Sequence, residues 1–145
     1  MKALLFAILA LLSSSITAAP LPVCYTGTWY NPATSGSGMF IDANAAYSIV
    51  AWFTFDASHR QVWLTAGQNF DATLLNGVTG YDYDVWQTTT PPRVTTYAGA
   101  LRIVASGRNW IDVTWNLPSF CATADPLCGG SERMWRLTDA AVPCP

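Results

Sequence analysis

Asp82 and Asp84 flank Tyr83 and are predicted to share one face of a β-strand. Residues two apart on a strand are separated by about 7 Å, because each residue rises about 3.3 Å. Carboxylates at that spacing can hold calcium or act as acid and base on a glycosidic bond. Tyr81 and Val85 alternate with them, however, as in an ordinary strand with one solvated face. A hydrolase that uses Asp82 and Asp84 is therefore an alternative interpretation.

His59 and Glu132 are the single histidine and the single glutamate of the chain. His59 lies in a predicted hairpin tip at residues 56–60, whereas a Ser-His-Asp triad needs a buried, oriented histidine. Glu132 precedes Arg133, and we expect the two to form a surface ion pair; a part for Glu132 in the hydrolase is the alternative. These residues favour a protein that is not an enzyme.

Seven tryptophans fall on six of the predicted strands, and most of them are expected to build the core. They are Trp29, Trp52, Trp63, Trp86, Trp110, Trp115 and Trp135. Some of them are placed to form a stacking wall for a flat apolar or sugar-like ligand. Trp52 and Trp63 flank a hairpin and are expected to face each other across it. Trp86 shares a strand face with Asp82 and Asp84. Trp52, Trp63 and Trp86 are therefore predicted ligand-binding residues.

Alternation of apolar and polar residues with period two, punctuated by glycine and proline, indicates an all-β domain. The predicted strands are residues 25–31, 38–42, 47–55, 61–68, 79–87, 94–105, 110–117 and 132–137. Residues 73–78 are expected to extend the fifth strand backwards. Eight strands joined by short loops predict an antiparallel up-and-down β-barrel. A two-sheet β-sandwich is the alternative.

The third predicted strand is apolar on both faces. Ile49, Phe53 and Phe55 share one face, while Val50 and Trp52 share the other. A barrel fills only its inner face with core residues, so an apolar outer face indicates a further covering. A homo-oligomer is one interpretation, and a loop or the C-terminal tail as the cover is the other.

The first 19 residues have the layout of a secretory signal peptide. Lys2 is followed by an apolar stretch at residues 3–12 and then by small residues up to Ala19. That stretch is shorter than the roughly 20 residues that span a bilayer. We therefore predict export to the periplasm or the extracellular space, with residues 20–145 as a single domain.

The four cysteines of an exported chain predict two disulfides, for which three pairings are possible. Cys121 and Cys128 bracket a turn-rich segment, and Cys24 and Cys144 lie where a closed barrel brings its first and last strands together. The favoured pairs are therefore Cys24–Cys144 and Cys121–Cys128. The cysteine spacing does not match a zinc site, and neither a metal nor a cofactor is expected.

Charge excludes some classes of partner. The chain has seven basic residues, nine acidic residues and a formal net charge of −2. Nucleic acid is not an expected partner, because phosphate neutralisation needs clustered Lys and Arg. An anionic membrane surface is disfavoured for the same reason, and no transmembrane segment is predicted.

One motif resembles a known family of exported domains. The pattern Gly-x-Trp-Tyr-Asn-Pro-x-x-Ser-Gly-x-Gly at residues 27–38 is followed by Trp-Phe-Thr-Phe-Asp at 52–56 and Trp-Leu at 63–64. Together they resemble a domain that recurs in exported proteobacterial proteins and has no assigned activity. The resemblance implies a compartment but no particular chemistry.

Gly27-x-Trp29 also resembles the first-strand signature of the calycins, the barrels that include lipocalins and avidins. The resemblance implies that Trp29 closes the barrel base and that an arginine of the last strand lies across it. Arg136 is placed to do so, with Arg133 as the alternative. The avidin likeness of residues 27–31 further implies that Asn31 and Ser35 line a pocket mouth.

The leading hypothesis is an exported, non-catalytic β-barrel that binds a small apolar or aromatic molecule or a short glycan. The residues predicted to line its site are Asn31, Ser35, Trp52, Trp63 and Trp86. The alternative from another class is a secreted inhibitor or adhesion module that binds a protein partner. An exposed aromatic face and a barrel filled by its own side chains would favour that alternative.

Overall fold

A computed structural model of the protein describes residues 20–67, 71–75, 78–89, 94–139 and 143–144. Residues 1–19, where the signal peptide is predicted, lie outside the described residues, as does Gln68 at the predicted end of the fourth strand. The described residues form nine strands and three short 3-10 helices. The strands are β1 (Gly27–Tyr30), β2 (Gly38–Ala43), β3 (Ser48–Phe55), β4 (Gln61–Gly67), β5 (Asp71–Leu75), β6 (Val78–Thr89), β7 (Val94–Val104), β8 (Trp110–Asn116) and β9 (Gly129–Arg136). The 3-10 helices are Val23–Tyr25, Pro118–Thr123 and Pro126–Cys128.

Eight of the strands close into an antiparallel barrel. The order around the ring is β4-β3-β2-β1-β9-β8-β7-β6, and β6 returns to β4. The predicted eight-stranded antiparallel barrel is thus confirmed. The junction between β1 and β9 is short: it consists of the pairs Trp29 with Arg136 and Tyr30 with Trp135.

The remaining strand, β5, lies outside the ring and forms a hairpin with the first half of β6. Its register runs from Asp71 opposite Asp82 to Leu75 opposite Val78. The expectation that residues 73–78 extend the following strand backwards is therefore wrong. The chain reverses direction between Leu75 and Val78, so the two segments lie side by side instead of end to end.

The inner face of the barrel is filled by the protein's own side chains. In β3 the residues Ser48, Val50, Trp52 and Thr54 are buried, whereas Ile49 and Phe55 are exposed. Other strands contribute large side chains that are almost completely buried, among them Trp29, Met39, Ile41, Leu64, Tyr83, Leu101, Ile103, Ile111 and Met134. Burying an apolar side chain of this size contributes about 1.5–3 kcal/mol, so this packed interior is the main source of stability.

One end of the barrel, where β1 begins and β9 ends, is closed; we call it the base. Trp29 is fully buried there, and its Nε1 donates a hydrogen bond of 3.0 Å to the carbonyl of Tyr25. The guanidinium of Arg136 lies 4.3 Å from the centre of the Trp29 ring. It also donates to the carbonyls of Cys24 and Thr26, at 2.7 and 3.0 Å. Arg136 therefore ties the last strand to the chain segment that precedes the first.

The presence of disulfides is confirmed, and the two pairs are those that the sequence favoured. Cys24 is bonded to Cys144, which closes a separation of 120 residues at the base. Cys121 is bonded to Cys128, seven residues later. Within the described residues, no helix has the length and apolar character needed to cross a membrane.

The buried phenol of Tyr83, inside the barrel, makes the stability of the fold depend on pH. Ser48 Oγ and Tyr83 Oη are 3.0 Å apart, and both residues are buried. Burial raises the pKa of Tyr83 to about 12. Since the folded state favours the neutral phenol, this stabilisation is complete below pH 10 or so and is lost as the pH rises towards 12.

We therefore expect the free energy of unfolding to fall by up to about 2–3 kcal/mol through Tyr83 over this alkaline window. Urea titrations at a series of alkaline pH values measure the effect. Tyr83→Phe is expected to be less stable at neutral pH, because the Ser48 hydroxyl loses a buried partner, but to lose less stability as the pH rises. Tyr47→Phe, at an exposed tyrosine, is the control and should keep the wild-type slope. An unchanged slope in Tyr83→Phe would contradict the assignment.

Candidate functional site

The end of the barrel opposite the base contains a cleft of about 230 Å³, which we call the mouth cleft. The β1–β2 loop, the second half of β3, the inner faces of β8 and β9, and residues 117–128 surround it. Its lining consists of Thr34, Ser35, Ser37, Trp52, Thr54, Phe55, Trp115, Pro126, Leu127 and Glu132. Apolar rings and a few hydroxyl groups around one carboxylate are the composition of a small-molecule site.

Two indole rings form the deep wall of the mouth cleft. Trp52, on β3, is only 2% exposed, and Trp115, on β8, is half-buried against the core. Their ring centres are 5.1 Å apart and their planes are inclined by 64°. Among the described residues, the buried Nε1–H of Trp52 has no hydrogen-bond acceptor. A buried donor without an acceptor destabilises the folded state by about 1–3 kcal/mol, so Trp52 holds an unsatisfied donor in the wall of the cleft.

Glu132 is the carboxylate of the mouth cleft. Its Oε2 accepts a hydrogen bond of 2.9 Å from Asn31 Nδ2, and Asn31 Oδ1 in turn accepts one from the backbone N–H of Ala33. The expected ion pair of Glu132 with Arg133 is wrong. Neighbouring residues on a strand point to opposite faces, and Arg133 pairs on the outside with Asp112, at 2.7 Å.

Residues 117–128 cross the mouth and form what we call the mouth cover. Asp125 is 6% exposed, and its carboxylate accepts hydrogen bonds from the backbone N–H groups of Leu127 and Ala57. The second of these bonds ties the mouth cover to the turn between β3 and β4. The Cys121–Cys128 disulfide fixes the same segment internally. The mouth cover is therefore held in place by both covalent and polar contacts.

Of the predicted ligand-binding residues, the structure brings Asn31, Ser35 and Trp52 together. Ser35 and Trp52 line the mouth cleft, and Asn31 holds its carboxylate in place. Trp63 does not join them. It is 54% exposed on the outer surface, where it packs against Phe53 with ring centres 5.8 Å apart.

The expectation that Trp52 and Trp63 face each other is wrong. Leu64 is the register partner of Trp52, and Phe53 is the partner of Trp63. Partners in an antiparallel pair share a face, so Trp52 points inwards and Trp63 outwards. Because of this one-residue offset, the two rings lie on opposite faces of the same hairpin.

Trp86 lines a different cleft, on the outer surface. This outer cleft has a volume of about 430 Å³, and its lining consists of Tyr47, Ser48, Ile49, Thr65, Ala66, Gly67 and Trp86. Although it is larger than the mouth cleft, its described lining contains no charged side chain. Its single buried hydroxyl, that of Ser48, is already bonded to Tyr83. The outer cleft therefore offers fewer unsatisfied polar groups to a ligand than the mouth cleft.

Of the residues considered for catalysis, Glu132 lines the mouth cleft, whereas Asp82, Asp84 and His59 do not. Asp82 is on the outer face of β6 and forms an ion pair with Arg102, at 2.7 Å. Asp84 follows on the same face and is partly exposed. His59 is exposed in the turn between β3 and β4 and has a positive φ of 59°. No three His, Cys, Asp or Glu side chains within the described ranges lie close enough together to hold a metal ion.

Sequence reasoning missed Glu132, Trp115 and Phe55 as cleft residues. For Glu132 a signal was present. If Arg136 lies across the inward-facing Trp29, then alternation places Met134 and Glu132 on the inner face too, with Glu132 towards the other end of the barrel. Comparisons of the chain with protein-family models, curated proteins and solved structures found no match.

Proposed function

We propose that the protein is an exported, non-catalytic barrel that binds a small molecule in the mouth cleft. The observation that carries this proposal is the Trp52 indole, which is buried in the cleft wall with its N–H lacking an acceptor among the described residues. A ligand with an acceptor atom would complete this hydrogen bond. A cleft of about 230 Å³ suits a ligand below ordinary drug size.

The ligand class follows from the walls of the cleft. Trp115 and Phe55 offer apolar surface to a flat ring or to one face of a sugar, and the buried Trp52 ring packs against Trp115. Ser35, Ser37 and Thr54 add hydroxyl groups around this surface. A small aromatic molecule or a short glycan therefore fits the lining.

Two disulfides in one small domain support an oxidising compartment. With the predicted signal peptide, they favour the periplasm or the extracellular space as the place where the protein acts. The hydrolase alternative has less support, since the Asp82 carboxylate is engaged by Arg102 on the outer face, away from the mouth cleft.

Ligand-observed NMR with a panel of small aromatic compounds and oligosaccharides tests the proposal. We expect members of the panel to bind the wild-type protein and to lose about ten-fold in affinity in Trp52→Phe, which removes the N–H and part of the ring. Trp63→Phe is the matched control, because Trp63 is exposed on the outside, and it should bind like the wild type. Binding that is equal in both variants, or that is absent throughout the panel, would overturn the proposal.

A second candidate function, binding of a protein partner, is favoured by the outer surface. A row of register partners crosses five neighbouring strands there: Phe40, Ala51, Thr65, Trp86 and Tyr97. Three of these, Phe40, Trp86 and Tyr97, are large exposed aromatic residues. The packed barrel interior also agrees with this alternative. Sedimentation velocity of the wild type and of Tyr97→Lys would show whether the row mediates self-association, as a homo-oligomer requires.

A further inference from the structure

Glu132 presents its carboxylate to the mouth cleft without a cation from the described part of the chain. It lies on the inner face of β9, two residues before the buried Met134, and is itself half-buried. Described residues form ion pairs between Arg60 and Asp56, between Arg102 and Asp82, and between Arg133 and Asp112. None of them includes Glu132.

The carboxylate is nevertheless held in a fixed place. Asn31 Nδ2 donates to Oε2, and Asn31 is itself fixed by the backbone N–H of Ala33 at the start of the β1–β2 loop. Asn31 is neutral, so it orients the carboxylate without neutralising its charge. The described residues therefore leave the negative charge of Glu132 without an opposite charge, which a bound cation would supply.

Aromatic rings beside the carboxylate add a second attraction for a cation. Trp52, Trp115 and Phe55 line the same cleft as Glu132. Indole is the side chain whose face attracts a cation most strongly. The buried Trp52 N–H, by contrast, needs an acceptor atom. The lining is therefore complementary to a ligand that carries both a positive charge and an acceptor.

We infer that the mouth cleft takes a small organic cation: a protonated amine on an apolar or aromatic body that also carries an ether, hydroxyl or carbonyl oxygen. The amine lies against Glu132 and the partly exposed rings of Trp115 and Phe55, and the oxygen accepts the Trp52 N–H. This inference rests on the proposed function, because it names the ligand class of the same cleft. It narrows the aromatic and glycan classes to those that carry an amino group.

Three compounds with one skeleton test the charge requirement: 2-phenoxyethylamine, 2-phenoxyethanol and phenoxyacetate. They share a ring and an ether oxygen and differ in charge. We expect the wild-type protein to bind the amine about ten-fold more tightly than the alcohol and the carboxylate most weakly. Titrations followed by ligand-observed NMR or by tryptophan fluorescence give the three affinities.

Glu132→Gln is the decisive variant, since glutamine keeps the shape and can still accept from Asn31 while losing the charge. It should bind the amine no better than the alcohol. Asp112→Asn is the matched control: it removes a carboxylate on the outer face of the neighbouring strand, and it should keep the preference for the amine. Far-UV circular dichroism of both variants reports that the barrel is intact.

The outcomes separate this inference from the proposed function. If the alcohol or the carboxylate binds the wild type as tightly as the amine, or if the preference survives in Glu132→Gln, the cation assignment is wrong. The proposed function stands in that case as long as binding still depends on Trp52. If none of the three compounds binds but another member of the panel does, the cation assignment is again wrong. If nothing binds at all, both proposals fail.

Discussion

Replacing Cys24 and Cys144 together by alanine is expected to lower the free energy of unfolding by about 4–5 kcal/mol. The Cys24–Cys144 disulfide joins residues 120 positions apart, and a cross-link over so long a segment removes much of the conformational freedom of the unfolded chain. Urea unfolding without reductant, followed by tryptophan fluorescence, measures the change. The loss should be large enough to leave a substantial unfolded fraction at moderate urea concentrations.

The other disulfide provides the control for this experiment. Cys121 and Cys128 are only seven positions apart, so Cys121→Ala with Cys128→Ala should lower the free energy of unfolding by about 2–3 kcal/mol. Both double variants remove one disulfide and two cysteines, so the difference between their free energies of unfolding reflects the length of the loop that each disulfide closes. Equal losses, or a larger loss at the short loop, would contradict this account.

The second large effect is expected for Arg136→Ala, which should lower the free energy of unfolding by about 3 kcal/mol. The substitution leaves the carbonyls of Cys24 and Thr26 without their donor and removes the cation that lies over Trp29. Hydrogen bonds from charged groups contribute about 1.5–3 kcal/mol each, and a partly buried cation–π contact adds about 1–2 kcal/mol. The sum is reduced because Arg136 remains partly exposed to water. Equilibrium unfolding in urea measures the loss.

Arg133→Ala is the matched control on the same strand. Arg133 lies on the outer face, and its ion pair with Asp112 is half-exposed, so its removal should change stability much less. Arg136→Lys should recover less than half of the loss, since an ammonium group cannot reproduce the planar fork of the guanidinium. Similar losses in the free energy of unfolding for Arg133→Ala and Arg136→Ala would show that the contacts of Arg136 at the base do not make a special contribution to stability.

The fold was predictable because a strand that buries only one face in the core alternates apolar and polar residues with period two. In β3, Val50 and Trp52 face inwards and Ile49 and Phe53 outwards, in the grouping that the sequence predicts. The hairpin of β5 with β6 was missed, although Asn76-Gly77 is the residue pair that two-residue hairpin turns prefer.

The candidate site was only partly predictable, because it depends on register. Ser35 and Trp52 line the mouth cleft, but Trp63 points outwards since its partner across the hairpin is Phe53 and not Trp52. A shift of one residue moves a side chain to the opposite face, and the turn at residues 56–60 sets that shift. The contact that orients Glu132 also depends on the folded structure, because its donor, Asn31, lies 101 positions away in the sequence.

The short junction between β1 and β9 is expected to form late in folding, when the barrel closes. Most neighbouring strands of the ring follow each other in sequence, and hairpins of this kind form in about 1–10 µs. The junction unites the first strand with the last through two residue pairs, so it has to wait until the strands between them are in place. Bringing Cys24 to Cys144 in an open chain is less favourable than bringing Cys121 to Cys128 by about 2.5 kcal/mol of loop entropy. We therefore expect the Cys121–Cys128 disulfide at the mouth to form before the Cys24–Cys144 disulfide at the base.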